Sequence, residues 1–140
     1  MRHYLVVAHR TLDSPDLLDV LRDRASQGPA TFHLLVPDEH QGGFLWDEGS
    51  VRLEANQAME AARVRLLGLG FAVDGEVGHT NPVHAVDHVL RRDEEDSYDE
   101  IIISTLPSRI SRWMGFDAPA RIARATRVPV THVEAVGVPA

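Results

Sequence analysis

The chain has 140 residues and a mass of 15.5 kDa, enough for one core that folds unaided and too little for two separate domains, so a single domain over residues 1–140 is expected. Its 44% hydrophobic and 25% charged residues exclude wholesale disorder, and the absence of cysteine excludes disulfides, thiolate zinc sites and a cysteine nucleophile and fits a reducing, cytoplasmic setting. The formal net charge of -7 with a pI near 5.5 repels phosphate backbones, so nucleic acid is not an expected partner.

The unbroken apolar run Tyr4 to Ala8 predicts a strand buried on both faces. His9-Arg10 stops that run before it can serve as a signal peptide, and no run approaches the roughly 20 residues of a membrane span. Asp13-Ser14-Pro15 predicts a capped helix start, with Leu17, Leu18, Val20 and Leu21 continuing to about Ser26. Thr31 to Val36 predicts the second strand, ended by Pro37. The stretch from Pro37 to Gly49 has no clean period. Its Phe44, Leu45 and Trp46 either form a lid or partner patch or tuck into the core.

The pattern from Ser50 to Leu69 predicts the longest helix, closed by Gly68 and Gly70, and Phe71 to Val77 predicts the third strand. Asn81-Pro82 opens a further helix whose buried stripe is Val83, Val86, Val89 and Leu90. The acidic run Asp93 to Asp96 opposes the negative end of a helix dipole, so that helix ends near Arg92 and the run reads as a solvated boundary. Ile101-Ile102-Ile103 is the clearest strand signal. A broken helical region from Arg109 to Thr126, with Asp117 as a cap, precedes the last strand at Val128 to Val133. Alternation of this kind predicts an α/β fold: a five-stranded parallel sheet with helices on both faces. Ligands in such sheets bind beyond the carboxyl ends of the strands, which here are His9-Arg10-Thr11, Val36-Pro37 and Ser104-Thr105-Leu106.

The chain resembles a universal stress protein domain of the Rossmann-like, adenine nucleotide alpha hydrolase-like group. The resemblance rests on Ala8-His9-Arg10-Thr11, on Leu35-Val36-Pro37-Asp38-Glu39 and on Asp99 to Ser104. It continues through Ser104-Thr105-Leu106-Pro107, Ser111-Arg112-Trp113 and Val128 to Val133. Nucleotide-binding members of that family carry Gly-x2-Gly-x9-Gly-Ser/Thr after the fourth strand, where small residues admit phosphate to backbone N–H groups. Here those glycine positions fall on Ile103, Leu106 and Phe116, and the Ser/Thr position falls on Asp117. ATP binding in the family's usual manner is therefore not expected. The family's acidic sugar contact falls on His9, Thr11 keeps the usual hydroxyl, and Val36 matches the aliphatic adenine contact. Trp113 and Met114 resemble packing residues. The resemblance also implies a homodimer through the last strand, Val128 to Val133.

Arg10, Arg109 and Arg112 either bind a phosphate or carboxylate at the cleft or pair with surface carboxylates. Ser104 and Thr105 either meet ligand or hold their turn. His84 and His88 have ligand spacing, yet the apolar stripe turns them outward, so no metal site is expected. His9 faces the presumed cleft, whereas His132 is expected to pack on the last strand. The leading reading is a cytoplasmic regulatory or ligand-binding module with His9, Arg10, Thr11, Val36, Ser104, Thr105, Arg109, Ser111 and Asp117 about its site. A binding protein for an unidentified nucleotide or small anion is the alternative. A small α/β nucleotide-processing enzyme comes third, with no phosphate loop, metal cluster or triad to support it.

Overall fold

The computed structural model describes residues 1–38, 48–107 and 118–136, the side chains of 48–52 excepted. The elements run β1 (Arg2–Val7), α1 (Pro15–Ser26), β2 (Ala30–Pro37), α2 (Glu48–Gly68), β3 (Ala72–Gly78) and α3 (Pro82–Asp93). A 3-10 turn (Glu95–Ser97), β4 (Glu100–Thr105), α4 (Ala118–Ala125) and β5 (Val130–Glu134) complete them. The five strands form one sheet in the order β3-β2-β1-β4-β5, and every adjacent pair is parallel. The predicted α/β class and sheet are therefore present.

Local chemistry sets the element ends. Ser14 caps α1, its Oγ accepting from the amides of Asp16 at 3.1 Å and Leu17 at 3.4 Å, and Pro15 occupies the first turn without a needed N–H. Asn81 caps α3 in the same way, accepting from Val83 at 2.9 Å and His84 at 3.4 Å. β5 starts at Val130, two residues later than the sequence suggests, because Pro129 has no N–H and contributes only its carbonyl, which accepts from Ile101. Of the broken helical region residues 118–126 fall among the described ones, with α4 at Ala118–Ala125; Arg109, Ser111, Trp113, Met114, Phe116 and the cap residue Asp117 lie outside them, as do Phe44, Leu45 and Trp46.

The period-2 alternation of the strands divides the core into two layers. Tyr4, Val6, Phe32, Leu34, Val36 and Ile102 pack under Leu17 and Leu21 of α1 and Ala55, Ala62 and Leu66 of α2. Leu5, Val7, Leu35, Ile101 and Ile103 pack under Val86 and Val89 of α3 and Ile122 of α4. Gly75 is required by close approach: a Cβ there would stand 2.9 Å from Met59 Sδ and 3.2 Å from the Leu34 carbonyl oxygen. It lets α2 lie against β3.

One acidic position departs from its expected role. Asp93 belongs to α3 itself, is half-buried, and accepts from Arg92 Nε at 2.8 Å and the Tyr98 hydroxyl at 2.6 Å. Those donors neutralise a carboxylate that would otherwise oppose the helix dipole. Glu94 and Asp96 are exposed, as a solvated boundary requires, while half-buried Glu95 pairs with Arg127 Nε at 3.2 Å. At the amino end of the sheet, Arg24 of α1 holds Glu100 of β4 through Nε at 2.7 Å and Nη2 at 3.0 Å, and the Thr131 hydroxyl of β5 donates to the same carboxylate.

Tyr4 stacks on Phe32 with ring centroids 5.2 Å apart, and Phe32 meets Phe71 edge-on at 5.7 Å. The Tyr4 hydroxyl is buried without a hydrogen-bond partner among the described residues. An unmet buried hydroxyl costs about 1–3 kcal/mol. Tyr4→Phe keeps the ring stack and removes that cost, so chemical denaturation is expected to show stability equal to or above the parent chain. A loss of about 1 kcal/mol or more would show that the hydroxyl has a partner in solution.

Candidate functional site

β1 lies between β2 and β4, so the chain leaves it towards one side of the sheet while β4 leads away on the other. The crevice of a doubly wound sheet opens at such a switch point, beyond the carboxyl ends. After Val7 the backbone turns tightly, with Leu12 N–H donating to the His9 carbonyl at 3.3 Å and Ser14 N–H to the Thr11 carbonyl at 3.0 Å. That turn carries three of the expected site residues. His9 is half-buried, Arg10 is exposed, and Thr11 is buried at 2% exposure.

Thr11 reaches across the switch point to β4. Its Oγ1 lies 2.6 Å from Ser104 Oγ, a hydrogen bond between buried hydroxyls 93 residues apart in sequence. Ser104 shares the sheet face of Ile102, the face covered by α1 and α2, and Val36 is wholly buried on that face. Thr105 turns to the opposite face, where its Oγ1 lies 2.7 Å from Nε2 of His132 on β5. The structure thus brings Thr11 and Ser104 together, puts Val36 on the same side and Thr105 on the other. Arg109, Ser111, Arg112 and Asp117 lie outside the described residues.

Two contacts went unread in the sequence. Arg65, in the last turn of α2, donates through Nη2 to the Leu12 carbonyl at 2.7 Å and so ties the loop after β1 to α2. A cation at a helix C-terminus was the available signal, but its target is 53 residues away. His132 is exposed rather than packed, and its Nε2 meets the Thr105 hydroxyl; nothing in its strand context indicates that hydroxyl. His84 and His88 are exposed on α3, as the stripe predicted, and the His84 ring meets that of His79 at 5.2 Å. Among the described residues no group of three or more His, Asp or Glu side chains is placed to hold a metal ion. No helix among them is long and apolar enough to cross a membrane.

At this end of the sheet the described polar residues are the buried, mutually bonded hydroxyls of Thr11 and Ser104 and the exposed Arg10. The Thr11–Ser104 pair is a structural bond. Thr11→Val is expected to strand the buried Ser104 hydroxyl and cost about 1–3 kcal/mol, whereas the double variant Thr11→Val/Ser104→Ala recovers part of that loss because neither partner is left unmet. Additive losses in a denaturation cycle would show that the two hydroxyls are not coupled.

The sequence matches no family model and no curated protein. Solved structures do match it. A universal stress protein from Archaeoglobus fulgidus superposes with a TM-score of 0.60 at 16% identity, covering 96% of this chain and 94% of that one. A protein of the universal stress protein family from Burkholderia pseudomallei gives 0.59 at 17% identity, with 95% and 96% covered. A universal stress protein in complex with cAMP gives 0.53 at 15% identity, with 96% and 97% covered. The chain has the universal stress protein fold over nearly its whole length.

Proposed function

We propose that the chain is a divergent universal stress protein: a cytoplasmic regulatory or ligand-binding module, one unit over residues 1–140, that takes a small anion or nucleotide at the carboxyl-end crevice. The β1/β4 switch point carries this reading, because ligands of this sheet architecture bind at such a point, and the buried Thr11–Ser104 contact ties its two sides together. The cAMP complex of a protein with the same fold supports an anionic nucleotide as the ligand class. Ile103 and Leu106 are buried where the family's motif has glycine, which supports a site without the usual triphosphate cradle. The proposed contacts are His9, Arg10, Thr11, Val36, Ser104, Thr105, Arg109, Ser111 and Asp117.

Thermal unfolding against ATP, AMP, cAMP and inorganic phosphate, with and without magnesium, tests this. A ligand at a hundredfold excess over its Kd stabilises the native state by about 2.7 kcal/mol. A shift with AMP, cAMP or phosphate is expected, weakened about tenfold or more in affinity by Arg10→Ala. A flat response across the panel would remove the nucleotide and phosphate reading. A dominant ATP shift would overturn the exclusion of the triphosphate.

The same reading includes a homodimer through Val128 to Val133. Among the described residues β5 has β4 on one side and no strand on the other. The opposite edge strand, β3, carries two carboxylates, Asp74 and Glu76, within three residues, a charged edge of the kind that discourages strand pairing, whereas β5 (Val130 to Glu134) carries one, at its end. Light scattering at high protein concentration is expected to return twice the 15.5 kDa chain mass. The monomer mass under those conditions contradicts the dimer.

A further inference from the structure

At the amino end of the sheet, away from the crevice, lies a cavity of about 400 Å3 whose lining includes His3, Thr31, His33, Asp74, Arg92 and Tyr98. His33 sits in β2 beside the edge strand β3, and both of its ring nitrogens meet carboxylates. Nδ1 is 2.8 Å from Asp74 Oδ1, and Nε2 is 2.5 Å from Glu76 Oε2. Ionised carboxylates only accept hydrogen bonds, so both contacts form together only when the ring carries two hydrogens.

The groups around it come from every neighbouring element. β3 supplies Asp74 and Glu76. From the last turn of α3, Arg92 donates to Glu76 through Nη1 at 2.8 Å and Nη2 at 2.5 Å, and through Nε to Asp93. Tyr98, just before β4, donates to Asp93, while His3 of β1 meets Thr31 Oγ1 through Nδ1 at 2.6 Å. His33 is therefore the one titratable link, among these groups, that joins β2 directly to both carboxylates of β3.

We propose that His33 is a proton-operated clamp: its imidazolium fastens edge strand β3 to β2, and loss of its proton frees Asp74 and loosens β3 along β2. Burial alone lowers the His33 pKa, but the hydrogen bonds and charges of Asp74 and Glu76 more than offset it and raise the value above that of an ordinary histidine. Arg92 holds Glu76 below the usual carboxylate range against burial, and brings Asp93 down to about 2. Both stay ionised while His33 titrates. Burial, reinforced by Asp93, pushes the Tyr98 phenol up, so it remains a donor. A value raised in the native state adds stability that is whole below the unfolded histidine value, about 6.5, and disappears as pH rises through the native one.

The test follows the His33 ring Cε1–H by NMR and the amide exchange of residues 72–78 in the full chain. The His33 midpoint is expected above about 6.5, with Asp74→Asn lowering it. Protection of β3, corrected for intrinsic exchange, is expected to fall with rising pH through that midpoint, about tenfold for each unit separating native and unfolded values. In His33→Gln it is expected to be flat. Asp74 is exposed, so Asp74→Asn keeps the test decisive if His33→Gln fails to fold: midpoint and protection profile must move together. A midpoint at or below about 6.5, or a pH profile unchanged by either substitution, overturns the clamp.

Discussion

β1 is hydrogen-bonded on both sides, to β2 and to β4, while Leu5, Val6 and Val7 have no solvent-exposed area. Along Leu5 to Val7 a strand so placed disfavours polar side chains on either face and unpaired backbone groups on either edge. Helices must therefore cover the sheet above and below. Because the neighbours of β1 come from different halves of the chain, the loops that leave its end and that of β4 diverge. The crevice is thus a by-product of burying one strand completely, and the turn from His9 to Ser14 follows from the need to leave it for α1.

Polarity is distributed unevenly along the strands. Their carboxyl ends carry neutral hydroxyls in contact, Thr11 with Ser104 and Thr105 with His132. Ion pairs lie on both faces, Arg24 with Glu100 beneath α1 at the start of β4 and Arg92 with Glu76 beside α3 in the second half of β3. Charge-assisted bonds that are partly shielded hold geometry more firmly than exposed surface pairs. The ion pairs secure helices to strands.

What the sequence disclosed follows the range of each interaction. Ser14-Pro15 and Asn81-Pro82 were legible as helix starts because a cap bonds within three residues, and Ile101 to Ile103 was legible because burial on both faces leaves a continuous apolar run. The expected site residues Thr11 and Ser104 could be placed at strand ends by the rule for such sheets. Their mutual contact could not, because it depends on register between strands 93 residues apart. The same holds for Arg65 with the Leu12 carbonyl and for His33 with Glu76. Asp93 was misread as solvated because its compensation comes from the rotamers of Arg92 and Tyr98, which spacing does not reveal.

The position of β1 also dictates an order of events during synthesis. Residues 2–7 are made before the other strands and can pair with 30–35 early, yet the partner for their other edge, residues 100–103, is made only after all of residues 8–99. Until then the apolar stretch Leu5 to Val7 presents an open edge, and parallel pairing across such a separation is slow because a long loop must close first. An unpaired apolar edge of this kind is adhesive until it is closed. The β4 segment, with Ile101 to Ile103, acts as the closing piece that turns a collapsing half-sheet into a sealed core.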